Sequence, residues 1–207
     1  MEDNKMAKGI YKKTFMAPLG KDNPVFVQIL GICSTLAVTN RLDNTLVMSL
    51  GVIFTLALSS FTISIMRSWI PSRIRMMVET LVIATFVIIV DITLKAFYPE
   101  MWKSLGPYVG LIITNCIVMG RIEAFALQNK PSVSLVDGIA SGIGYAYVLL
   151  IIAFVRELMG TGTLFGFTIL GDWWTSWAIM IMPPGGFFML AIFIWIAKEA
   201  FMKEATS

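Results

Sequence analysis

The chain has two cysteines in equivalent places of two halves. Pro24 stands nine residues before Cys33 and Pro107 nine residues before Cys116, an offset of 83 residues. Both lie in apolar segments too short for a full membrane crossing. A helix over 24–39 would reach about 24 Å and one over 107–120 about 21 Å, against a hydrocarbon core of roughly 30 Å. Paired short segments at matching positions of a repeated membrane chain predict half-helices that end inside the bilayer, where their backbone dipoles face something polar. Here each also carries a thiol.

The rest of the 207 residues agrees with a bilayer setting: 57% are hydrophobic, mean hydropathy is +0.79, and there is no histidine. That is too apolar for a soluble domain of this length. Without an imidazole, haem ligation and Ser-His-Asp chemistry fall away, and two cysteines cannot build a zinc site alone. A net charge of +3 leaves no nucleic-acid footprint. No Walker loop, dinucleotide fingerprint or HExxH stretch is present, and the glycine-rich run at 160–166 reads as an ordinary loop.

Residues 1–22, with Lys5, Lys8, Lys12, Lys13 and Lys21, form a basic interfacial arm; residues 23–207 form one membrane domain. Apolar segments run over about 24–39, 45–66, 76–97, 107–119, 138–155 and 178–197. The expected architecture is an all-α integral membrane protein with six transmembrane segments, of which the first and fourth are half-helices. Lys and Arg in alternate connections number twelve on the side of both termini and four on the other, so both termini face the cytoplasm. Three segments per half then make the repeat an inverted one, with halves near 23–105 and 106–200 and both thiols near the midplane.

Two facing thiols admit three readings: a disulfide, plain core thiols, or part of a metal site. An iron–sulfur cluster wants four thiolates, so this chain could supply only half of one. Acids inside a membrane are the next candidates. Asp91 is four residues from Lys95, which suits either an interfacial i,i+4 ion pair or a cation route. Asp137 precedes the fifth segment, as a helix cap or at a cation-attracting mouth. Glu79, near Arg75, reads as a solvated or dipole-matched charge, and Glu157 as structural. Gly138, Gly142 and Gly144 read as a close-packing face, and the tryptophans as belt anchors. No flavin or quinone signature stands out.

The stretches GLIITNCIVMGRIEAFA (110–126) and GICSTLAVT (31–39), with DGIASGIG, RELMG and LFG further on, resemble the small membrane subunits of the sodium-pumping NADH:quinone oxidoreductase and of its relative, the Rnf ferredoxin:NAD oxidoreductase. The basic arm with its charge bias resembles the D-type branch of the pump or the E-type branch of Rnf; the serine after Cys33 and the run VGLIITNCIVMG look more like the pump, whereas PPGGF (183–187) resembles Rnf. The resemblance implies an electron-transfer component of an ion-translocating oxidoreductase. Cys33 and Cys116 would ligate half of an intramembrane iron–sulfur cluster, of the two-iron two-sulfur type, shared with a homologous inverted partner, the E-type component of the pump or the A-type component of Rnf. Flavins and NADH would belong to other members of a six-subunit respiratory complex. The rival reading is an ion-conducting, transporter-like protein without a cluster.

Overall fold

The computed structural model describes residues 14–16, 25, 28–164, 167–168 and 178–205. Pro24, nearly all of the basic arm, Trp173 and Trp174 lie outside the described residues.

The described chain is helical apart from one short pairing. Helix α1 covers Ile32–Val38, α2 Leu42–Met66 and α3 Arg75–Phe97. Helix α4 covers Pro99–Val109 and tightens into a 3-10 turn at Gly110–Ile112. Helix α5 covers Cys116–Arg121 and loosens into a π turn at Ile122–Ala126, followed by α6 at Pro131–Gly160. Two-residue strands β1 (Thr163–Leu164) and β2 (Phe167–Thr168) pair antiparallel within the expected loop. Helix α7 covers Ala178–Ile181 and α8 Pro183–Ala205, the two prolines at 183 and 184 forcing a fresh start after Met182.

Among the described residues four stretches are long and apolar enough to cross a membrane: Leu42–Met66, Arg75–Phe97, Pro99–Ala126 and Pro131–Gly160. The expected segments 45–66 and 76–97 are α2 and α3 within a few residues. The fourth differs from expectation. Residues 107–119 are not one short half-helix but the middle of a longer stretch, broken at 113–115 immediately before Cys116. The fifth differs as well. Pro131 at the first helical position and extended backbone at Lys130 start α6 well before the apolar run at 138.

Helices α2 and α6 form the centre and pack antiparallel. In lipid there is little hydrophobic drive between helices, so small residues decide how closely they approach. A Cβ on Gly138 would stand 3.0 Å from Ala57 Cα, and one on Gly142 3.0 Å from Ile53 Cα. The expected glycine face is therefore the α2–α6 seam. Ser64 Oγ and Arg67 Nη1 both donate to Asn129 O, at 2.7 and 3.0 Å, tying the end of α2 to the start of α6. Around that seam Val52, Leu56, Ile63, Ile83, Ile117 and Ile152 are buried. Helix α3 instead turns Met77, Leu81, Ile88 and Ile92 outward, toward lipid or a neighbouring chain.

Candidate functional site

Both cysteines start a helix just after a break. Before Cys33 the backbone turns through left-handed geometry twice, at Ile29 (φ 54°) and Gly31 (φ 83°), and α1 then begins at Ile32. Only glycine adopts that conformation without strain, and space makes the same demand: a Cβ on Gly31 would lie 2.7 Å from Tyr145 Cε2. Before Cys116 the chain leaves the 3-10 turn, and Asn115 caps α5 by accepting the Ile117 N–H on its side chain at 3.2 Å. Leu30 meets Gly120, where a Cβ would sit 3.0 Å from Leu30 Cδ1, so the two broken regions touch.

A buried polar network locks the two breaks together. Ser34 Oγ donates to Gly31 O at 3.1 Å. With its proton so used, Ser34 Oγ accepts from Tyr145 OH and, at 3.3 Å, from Asn115 Nδ2. Tyr145, from the middle of α6, is 0% exposed. One tyrosine hydroxyl and one serine hydroxyl therefore join the residue after Cys33 to the residue before Cys116. The thiols themselves stand within electrostatic reach of each other. Both are free, and both are exposed on the surface of the chain.

The three sequence readings ask different things of the thiols. Plain core thiols would be enclosed, and a disulfide would consume them. These sit as an open pair with supporting polar groups underneath. Among the described residues no group of three or more His, Cys, Asp or Glu could hold a metal ion. A two-thiol donor set fits half of a four-thiolate cluster and nothing more complete, and its open side leaves room for a second pair.

Arg156 and Glu157, at the end of α6, hold the far end of α1. The Arg156 guanidinium donates to Thr39 Oγ1 at 2.6 Å, to Leu36 O at 3.3 Å and to Met180 O at 3.1 Å, joining the C-terminal ends of α1 and α7. Glu157 Oε2 accepts the Leu42 N–H at 2.7 Å and so caps α2, whose own N-cap residue offers no side-chain bond. The structural expectation for Glu157 is met, with Leu42 as the partner.

The acids fall in three places. Asp137 is a mid-helix residue, not a cap. Its carboxylate is gripped at both oxygens by Arg121, through Nε at 3.1 Å and through Nη2. Asp91 accepts from Trp102 Nε1 at 3.0 Å, while Lys95 Nζ lies 5.0 Å from the Trp102 ring centre. The indole of α4 thus takes the place of the expected Asp91–Lys95 pair. Glu79 departs from expectation: it is fully buried rather than solvated. Sequence reasoning also missed Tyr145 and Arg156 as members of the site. An aromatic within an apolar helix looks like core, and the arginine's partners are largely backbone carbonyls with no sequence mark.

A family model described as "Rnf-Nqr subunit, membrane protein" matches residues 11–194. The chain is 45% identical over 192 residues to a protein of Psychromonas ingrahamii, covering 90% of this chain and 91% of that one. It is 45% identical over 203 residues to one of Pseudoalteromonas translucida, covering 96% and 95%. It is 47% identical over 193 residues to one of Haemophilus influenzae, covering 91% and 93%. All three relatives are named as the D-type component of the Na(+)-translocating NADH-quinone reductase. With nearly its whole length matched, this twice-broken helical chain belongs to the Rnf-Nqr family of membrane subunits.

Proposed function

We propose that the chain is the D-type membrane component of a bacterial sodium-translocating NADH:quinone reductase. In that complex Cys33 and Cys116 would supply two of the four thiolates of an iron–sulfur cluster shared with a homologous, inverted partner. The carrying observation is the pair of free, exposed thiols within electrostatic reach of each other where two broken helices meet. The shared name of the three relatives favours the pump over Rnf. An inverted six-segment repeat is supported by the matched breaks, with Cys33 the second residue of α1 and Cys116 the first of α5. The twelve-to-four bias of Lys and Arg supports cytoplasmic termini.

A cluster bound there would supply a one-electron carrier inside the membrane. What the chain's own residues do is hold and orient. Gly31 and Asn115 set the backbone from which each thiol projects. Tyr145, Ser34 and Asn115 fix the distance between the two helix starts. Arg156 and Glu157 keep α1 from sliding relative to α2 and α6. The open side of the thiol pair faces away from this scaffold, as a shared ligand set across an interface requires. Asp91 and Asp137 remain proposals for a cation route, and in the structure each has a partner, Trp102 and Arg121 respectively.

In the purified complex, Cys33→Ala and Cys116→Ala should each cut NADH:quinone turnover by orders of magnitude, with the protein still inserted. Normal turnover in both would return the chain to the transporter-like reading. Asp137→Ala should raise the half-saturating sodium concentration with iron content unchanged. Unaltered sodium dependence would leave the Arg121–Asp137 pair a structural one.

A further inference from the structure

Glu79 has no part in the site above. It lies one turn into α3, is 0% exposed, and neither carboxylate oxygen has a hydrogen-bond partner. A buried ionised carboxylate with no hydrogen-bond donor is strongly disfavoured, so such a group is neutralised by a bound cation or by a proton. Two charged residues are within electrostatic reach: Glu123, exposed on the π turn, and Arg75, one helical turn earlier on α3. Arg75 is the obvious neutralising partner, yet it does not pair. The ion pairs among the described residues are Arg41–Asp43 and Arg121–Asp137, and Arg75 Nε is itself buried without a partner. Helix α2 contributes no charge but Asp43, and α4 only Glu100 and Lys103. These lie toward the other end of α3, because Val47 and Leu50 of α2 oppose Ile89 and Thr93.

We infer that Glu79 is a proton-holding site, a buried neutral carboxyl that exchanges its proton with water by way of the exposed Glu123 carboxylate. A metal cation would want a shell of several oxygens. A proton needs one. Glu123, exposed on the π turn, provides the aqueous end of the route. Net charge is conserved: one proton leaves water and one carboxylate becomes an acid. The site would sit at the end of α3 that carries Arg73 and Arg75, the side the charge bias assigns to the cytoplasm.

Two measurements on the complex purified from membranes test this. The first is infrared difference spectroscopy of the carbonyl stretch of protonated carboxyls, in water and deuterium oxide. The native protein should show a deuterium-sensitive band that Glu79→Gln abolishes, with assembly intact because the amide mimics the neutral acid. Glu123→Gln should retain the band and slow its exchange. The second is labelling by dicyclohexylcarbodiimide, a hydrophobic reagent for protonated buried carboxyls, mapped by mass spectrometry. Glu79 should be labelled equally with and without sodium. Persistence of the band in Glu79→Gln, or no label at Glu79, would overturn the inference in favour of an ionised Glu79 paired with Arg75. Protection by sodium would overturn it in favour of a metal cation.

Discussion

The turn before Cys33 runs through left-handed backbone at Ile29 and Gly31, whereas the turn before Cys116 stays in ordinary backbone regions and closes on the Asn115 side chain. The two halves thus reach the same result, a thiol at the start of a helix, by different means. The first break depends on its surroundings, because Gly31 is pressed against Tyr145 and α1 ends on Arg156. The second is largely self-contained, with a local cap and a continuous run from Cys116 through Ala126. Equivalent position in a repeat therefore does not mean equivalent sensitivity. The first break should fail when distant residues change, and the second mainly when its own residues do.

Gly31→Ala should have the largest effect. Left-handed backbone costs an alanine about 1–2 kcal/mol, and the added methyl must displace the Tyr145 ring, for which overpacking costs about 1–3 kcal/mol. Thermal unfolding of the detergent-solubilised complex and its retained iron would read this out. An effect no larger than that of Asn115→Ala would erase the contrast between the halves.

Tyr145→Phe comes next. It removes the hydroxyl's bond to Ser34 while keeping the ring against Gly31, and one such hydrogen bond is worth about 0.5–1.5 kcal/mol. Because Ser34 bonds Asn115 in turn, electron transfer should slow with both thiols still present. A shift in the cluster's spectroscopic signature would separate positioning from simple loss of stability. An unchanged signature would make Tyr145 a packing residue only.

Asn115→Ala should be the mildest of the three, losing a helix cap worth about 1 kcal/mol. Asn115→Asp retains the capping oxygen and should recover most of that loss. Failure of the aspartate to recover it would show that the bond to Ser34 matters more than the cap.

Much of this was legible in the sequence where one residue type and one spacing sufficed. The two cysteines, the matched breaks, the spans at 45–66 and 76–97 and the α2–α6 glycine seam all follow from local pattern. What stayed hidden depends on partners distant along the chain or on backbone atoms. Tyr145 is 111 residues from Ser34, and Arg156 is 117 from Thr39, with no periodicity linking them. Glu79 reads as solvated or dipole-matched because it stands in the first turn near Arg75, whereas its burial depends on neighbours distant along the chain. Asp137 looked like a cap because apolar residues begin just after it, while the helix starts at Pro131.

The most direct test of the central claim is iron quantitation with electron paramagnetic resonance on the purified complex carrying Cys33→Ala and Cys116→Ala together. The account predicts loss of one cluster's iron and disappearance of one iron–sulfur signal, with the other redox signals retained. Full iron content and an unaltered spectrum would contradict it.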